Sequence, residues 1–306
     1  MRSSHLPARR AVSLSAMLCA TVLLAACGKG PASPAASGGE VTAVTAKANE
    51  AFAAGRDLSD PASFADAKRG FIAAPTGQVR DAAGKVIWDF DGYAFVKGAA
   101  PATVNPSLWR QALLNNQTGL FKVSEGIYQL RGFDLANITL IEGKTGWIVV
   151  DTLTARETAT AAMAFARKHL GDKPVSAVIF THSHVDHFGG ALGVIPAEEA
   201  ATRKVPVIAP VGFMEEATSE NIMMGVAMAR RSMYMYGGRL PRDAKGSVDT
   251  GLGKAVAYGQ VGILPPTVVV DQPRQELVID GVRFVFHNVP GSEAPAEFVF
   301  YIPERK

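Results

Sequence analysis

The period of the hydrophobic positions changes several times along the chain, and each change marks an element. Residues 40 to about 75 carry an Ala-rich, amphipathic pattern that predicts mostly helix. Gly84-Lys85 turns the chain into a strand at Val86-Ile87-Trp88. Asn105-Pro106 opens a short helix, with Pro at a first position where a missing N–H costs nothing. From residue 121 short β-prone runs take over. The runs at 138–141 and 147–150 flank Glu142-Gly143-Lys144-Thr145-Gly146, which predicts a hairpin. The second run is apolar throughout, so both its faces are expected to be buried, and it ends at Asp151. Thr154 and Glu157 match a capping box. A helix follows whose apolar face is Ala159, Ala162, Ala166 and Leu170, stopped by Gly171. A buried strand at 177–180 then runs directly into a cluster of histidines. Beyond it the pattern predicts a strand at 205–209, a Met-rich helix at 220–236 and a Gly/Pro-rich irregular stretch at 237–266 lying over the site. A hairpin about Asp280-Gly281 and a last strand at 298–302 complete the chain.

Composition supports this picture: 48% apolar and 19% charged residues with 30 glycines suit a soluble α/β protein, not a disordered one. The net charge of +3 is partly carried by the first residues, and no basic stripe is interleaved with aromatics. Nucleic acid is therefore not an expected partner. The N-terminus adds more. Arg2, Arg9 and Arg10 precede an apolar run at 11–26 that is too short and too rich in small residues for a membrane span. It ends Leu24-Ala25-Ala26-Cys27, which resembles a bacterial lipoprotein signal cut before a cysteine that then takes lipid. Residues 1–26 are thus expected to be a signal peptide, Cys27 the lipidation site, and residues 27–45 a flexible linker of Gly, Pro, Ser and Ala. The expected location is the bacterial periplasm, anchored to a membrane through that lipid. A plain secretory signal cut near Ala26 is the alternative. With Cys19 in the leader and Cys27 lipidated, the body has no thiol for a disulfide or a thiolate ligand.

The candidate chemistry lies in Thr181-His182-Ser183-His184-Val185-Asp186-His187-Phe188-Gly189-Gly190, where three of the chain's six histidines fall. In a short loop after a strand, residues two apart point the same way, so His182 and His184 can grip one ion. Asp186 and His187 begin the next turn and can face a second. Imidazole with carboxylate suits zinc, iron or manganese. Gly189 and Gly190 are expected to let the backbone pass close to the metals. Asp151, at a strand end, reads either as a carboxylate behind the ligands or as an ordinary strand-end residue. His169 reads as a cation at a helix C-terminus and His287 as a hydrogen-bonded strand residue. Met223, Met224, Met228, Met233 and Met235 read equally as the lining of an alkyl pocket or as core. Arg230 and Arg231 read as anion-binding forks or as a solvated face.

H-x-H-x-D-H after a buried strand resembles the metallo-β-lactamase superfamily. The superfamily's usual Pro-Gly-His is replaced here by Pro290-Gly291-Ser292-Glu293-Ala294-Pro295-Ala296-Glu297. That stretch resembles the alkyl sulfatase branch, as do Asn105-Pro106-Ser107-Leu108-Trp109-Arg110, the run from Arg131 to Asn137, and Ala229-Arg230-Arg231-Ser232. The resemblance runs from about residue 50 onward. It implies an αββα sandwich, with residues 46–120 a family-specific segment and residues 121–306 the metallo-β-lactamase domain. It implies two zinc ions, the first held by His182, His184 and Glu293 and the second by Asp186 and His187, with Asp186 also catalytic. Glu297 would be structural, and on the anion-binding reading of their guanidinium forks, the alternative to a solvated face, Arg230 and Arg231 would meet the substrate. The implied reaction is hydrolysis of an alkyl sulfate ester, by a hydroxide made at the metals, to an alcohol and inorganic sulfate. The implied partners are that small molecule and, in the full-length family, a second copy of the chain. The family's bridging glutamate and a later histidine find no matching position, so the expectation is an incomplete second metal site in a domain truncated at its C-terminus. A non-catalytic lipoprotein that binds metal or an amphiphile, or another hydrolase of the superfamily, are the alternatives.

Overall fold

In the computed structural model residues 40–305 are described; the expected signal peptide, Cys27 and most of the linker lie outside them. The chain divides into Met1–Glu40 and Val41–Lys306, and the described helices and strands all belong to the second unit. Thr42 accepts the Thr45 amide and opens α1 (Ala43–Ala53). After α2 (Ala62–Lys68) come the short strands β1 (Phe71–Ala73), β2 (Gln78–Arg80) and β3 (Val86–Asp89). Asn105 caps α3 (Pro106–Asn115), whose first residue is the expected proline. The stretch expected to be mostly helical thus also supplies an edge strand: β1 pairs antiparallel with β4 (Gly119–Ser124).

The main sheet has eight strands, in the order β1, β4, β5 (Ile127–Arg131), β6 (Ile138–Glu142), β7 (Trp147–Val150), β8 (Val175–Ile179), β9 (Val207–Pro210) and β10 (Val268–Val270). The β6–β7 hairpin forms with the expected turn. Pairing is antiparallel up to β7 and parallel from β7 to β10. Parallel neighbours need a crossover, and α4 (Arg156–Leu170) supplies the first of these, between β7 and β8. Thr154 does not cap that helix. Ala155 is its N-cap with no side-chain bond, because Thr154 bonds Asp134 instead and Glu157 accepts the Gln260 amide.

Strand alternation sorts the core into two layers. Leu140, Val149, Val178 and Ala209 face the helices, where they meet Ala159, Ala162 and Ala166 of α4. Ile141, Ile148, Ile179 and Ile208 face the other way and pack on Phe284, Phe286 and Phe298. Those phenylalanines belong to a second, three-stranded antiparallel sheet of β11 (Arg274–Ile279), β12 (Val282–Asn288) and β13 (Phe298–Tyr301). Asp280 and Gly281 turn β11 into β12 with φ of 44° and 80°, the left-handed pair that a tight hairpin requires. The α/β class therefore holds, with a helix layer, a sheet and a second sheet. The outer face of the second sheet exposes Val278, Val299 and Tyr301.

One expectation changes after the histidines. The helix expected over 220–236 is broken: α8 (Phe213–Thr218) runs into a π-turn (Ser219–Met223), and α9 (Gly225–Tyr236) starts afresh at a glycine. The irregular stretch after it is fastened to the N-terminal segment and to the start of α4, through Thr103 to the Ala244 carbonyl, Lys254 to the Ala112 carbonyl, and Arg156 N–H to the Gln260 carbonyl. Among the described residues no helix is long and apolar enough to cross a membrane.

Candidate metal centre

The histidine loop follows β8, at the carboxyl ends of the parallel strands, where open α/β sheets place their ligands. Phe180 before the loop and Phe188 inside it pack on Phe213 of α8, at ring separations of 5.2 Å and 5.5 Å. This aromatic cluster holds the loop from beneath. Gly189 and Gly190 have a different role from the one expected. A Cβ at Gly190 would stand 2.1 Å from the Thr152 carbonyl oxygen, and one at Gly189 would stand 2.3 Å from that of Thr154. They let the loop close on the backbone after β7, and the Gly190 N–H donates to the Leu153 carbonyl.

That backbone is itself unusual. Asp151 and Leu153 adopt φ of 57° and 64°, a left-handed conformation that costs a non-glycine residue on the order of 1–3 kcal/mol. The turn aims the Asp151 carboxylate back under the histidines. Its Oδ1 accepts the Thr181 N–H at 2.9 Å, and its Oδ2 lies 2.7 Å from His187 Nδ1. The Thr181 hydroxyl donates to the same carboxylate and lies 2.9 Å from His182 Nδ1. Asp151 thus holds His187 directly and His182 through Thr181. Both rings are left with Nε2 directed away from the carboxylate. Of the two readings the sequence left open for Asp151, the geometry favours the carboxylate behind the histidines. Thr181, just outside the H-x-H-x-D-H pattern, is the link.

His182 Nε2 is buried and has no hydrogen-bond partner among the described residues. It lies 3.9 Å from Glu293 Oε1, and His184 Nδ1 lies 3.8 Å from the same oxygen. One atom from each of these three residues falls within 4.8 Å of the others, so together they can hold a metal ion. An uncompensated buried imidazole nitrogen costs free energy, and a cation is the partner this geometry suits. The donor set of two imidazoles and one carboxylate fits zinc and leaves a fourth position open. Glu293 is brought here by Glu297, which accepts the Glu293 and Ala294 amides through Oε2 and sits in an isolated bridge with His182.

Asp186 Oδ2 is 3.5 Å from His187 Nε2, so these two stand together beside the first group. The His182 and His187 ring centres are 3.9 Å apart. Burial would lower the His187 pKa, but the Asp151 charge and hydrogen bond, with Asp186 and Glu293, outweigh it and push it up to about 9. His182 shifts the other way, lowered by burial first and by the neighbouring histidines.

Outside this cluster the outcomes differ. Arg230 and Arg231 are exposed on α9, and neither makes an ion pair among the described residues. The methionines are not core: α9 buries no residue, and Met223, Met224 and Met235 are exposed. His287 is exposed on β12, and His169 packs its ring 4.6 Å from Phe165. One residue near the cluster is not signalled by the sequence. Glu220, in the π-turn, places Oε1 3.7 Å from His184 Nε2, and its Oε2 is buried without a partner among the described residues. No periodicity or motif marks it, because it comes from a separate element.

The metallo-beta-lactamase superfamily model matches residues 131–306. The chain belongs to that superfamily. Within it, the chain is 48% identical over 268 residues to a linear primary-alkylsulfatase of a Pseudomonas species, covering 87% of this chain and 40% of that protein. An alkyl/aryl-sulfatase of Saccharomyces cerevisiae is 46% identical over 86% of this chain and 41% of its own length. The solved structure of a stereoselective inverting sec-alkylsulfatase from Pseudomonas superimposes with a TM-score of 0.84 at 45% identity, over 87% of this chain and 42% of that one. The chain therefore spans about two fifths of the length of these superfamily relatives.

Proposed function

We propose that the chain carries the metal centre of a hydrolase that cleaves alkyl sulfate esters to an alcohol and inorganic sulfate. The observation that carries this reading is the convergence of the orphaned His182 Nε2, His184 Nδ1 and Glu293 Oε1. The alkylsulfatase relatives support the substrate class. His182, His184 and Glu293 would hold a first zinc ion, and Asp186 and His187 would contribute to a second. Zinc bound there supplies a lowered pKa for water and an electrophile that offsets charge on the sulfate. The chain's own residues do the rest. Asp151 fixes the ring planes of His182 and His187. Glu297 holds the Glu293 loop in place. Asp186 stands beside His187, with Oδ2 3.5 Å from its Nε2, where the two would meet the second ion. Arg230 and Arg231, exposed and without ion pairs among the described residues, are available to an anionic group. The leader sequence supports Cys27 as a lipid anchor at a periplasmic membrane surface.

The test is metal content by mass spectrometry of the purified chain, alongside sulfate release from dodecyl sulfate. Bound zinc that is lost in His182→Ala, with sulfate release lost alongside it, is the expected result. A chain that takes up no metal and releases no sulfate overturns the reading for this polypeptide.

A further inference from the structure

We propose that Glu220 is a positioning residue for His184, holding its ring as Asp151 holds those of His182 and His187. The inference rests on the proposed metal centre. Each histidine of the cluster has two ring nitrogens, and a ring that ligates through one is normally oriented through the other. His187 meets Asp151 through Nδ1, and His182 meets Thr181 through Nδ1. His184 is reversed: its Nδ1 faces Glu293, and its Nε2 faces Glu220 Oε1 at 3.7 Å. That gap is about 0.8 Å beyond a normal N–H···O bond, and such contacts commonly tighten when a site is filled. A second observation points the same way. Glu220 Oε2 is buried without a hydrogen-bond partner among the described residues, and a buried carboxylate oxygen without a donor is costly.

The backbone explains how Glu220 reaches the site. Phe213 anchors α8 against Phe180 and Phe188 on either side of the histidines. The π-turn Ser219–Met223 then re-aims the chain, and Asn221 secures it by donating to the Ala217 carbonyl at 2.9 Å. π-turns are found disproportionately at functional sites. Here the turn delivers a carboxylate to the imidazole nitrogen that faces away from the proposed ion.

The experiment uses the full chain stripped of metal, with Glu220→Ala, Glu220→Gln and, as a control, Glu215→Ala on the exposed face of α8. Zinc affinity is read by chelator competition, and the His184 tautomer by nitrogen NMR of the metal-free protein. Glu220→Ala is expected to weaken zinc roughly 10- to 100-fold and to lose the Nε2–H tautomer of His184. Glu220→Gln, whose amide oxygen still accepts, is expected to stay within about threefold, and Glu215→Ala to change neither readout. An unchanged His184 tautomer in Glu220→Ala overturns the proposal, whether or not the wild type binds zinc. So does a Glu220→Gln loss equal to that of Glu220→Ala, which would make the carboxylate a ligand. Failure of the wild type to bind zinc sinks the metal-centre reading instead, and the tautomer still decides the role of Glu220. If Glu220→Ala does not fold, the tautomer in Glu220→Gln decides: Nε2–H retained supports the role and Nε2–H lost overturns it.

Discussion

Asp151 accepts three hydrogen bonds with two oxygens, from the Thr181 N–H, the Thr181 hydroxyl and His187 Nδ1. An asparagine there can satisfy only part of this. Its oxygen can accept from Thr181, but its NH2 would then face His187 Nδ1 and demand a lone pair from it. The ring proton would move to Nε2, the nitrogen on the Asp186 side. Asp151→Asn is therefore expected to lower metal affinity about 10- to 100-fold with little loss of secondary structure. Chelator competition together with circular dichroism checks this, and an unchanged affinity would remove Asp151 from its orienting role. Glu297 offers a second test. Its carboxylate binds the Glu293 and Ala294 amides, so Glu297→Ala frees the loop without touching any of the atoms expected to hold the metal. Weaker binding of the first ion is expected, alongside destabilisation of about 1–3 kcal/mol for the lost charged bonds, read by denaturant unfolding. The candidate ligands His182, His184, Asp186 and His187 were legible in the sequence, because imidazole and carboxylate at short spacing have few other uses, and Glu293 was legible only through the resemblance. The residues that aim them were less so. Thr181 and Glu220 are ordinary residues by type, and only the fold places them behind a ring.

At the scale of elements, a clean period in the sequence corresponds to an element in the fold. The β6–β7 hairpin, α4 with its alanine face, and the β11–β12 turn each combine a periodic run with a turn or stop signal. The departures share one cause, which is tertiary demand on a residue with a plausible local use. Thr154 looks like a cap but bonds Asp134. Gly189 and Gly190 look like metal clearance but permit close backbone packing. The methionine-rich run looks like one helix, yet the chain breaks it with a π-turn. The element that matters most to the site is α8, because Phe213 joins it to both flanks of the histidine loop. Phe213→Ala should cost about 3–5 kcal/mol of stability, the usual range for an aromatic deleted from a core. If the cluster aligns the loop as well as stabilising the fold, metal affinity measured below the unfolding transition will fall too. Phe213→Leu, which keeps most of the volume, should recover much of both losses. Equal metal affinity in all three proteins would confine Phe213 to packing.

Across the whole molecule, the helix layer, the main sheet and the long stretch after α9 meet at one buried side chain, Asp134. Its carboxylate accepts from the Leu135 and Thr154 amides, from the Thr154 and Thr158 hydroxyls, and from the Ala257 amide on the long stretch after α9. Burial pushes its pKa up to about 6, against those donors, which lower it. The sign of the effect on stability follows from linkage. An unfolded aspartate titrates near 3.9, so the folded chain holds this proton more tightly than the unfolded chain does. The stabilisation from that proton is fully present below about pH 4 and is lost as the pH rises through about 6. Asp134→Asn removes the titration while keeping the size of the side chain. The stability of the wild type minus that of Asp134→Asn, measured by denaturant unfolding, should therefore decline between about pH 4 and pH 6 and be flat above pH 7. Asp134→Ala, which leaves several buried donors unpaired, should cost about 3 kcal/mol or more at any pH in that range. A wild-type advantage that instead grows from pH 4 to pH 6 would mean that the donors outweigh burial and that the ionised carboxylate is the form that ties the three regions together.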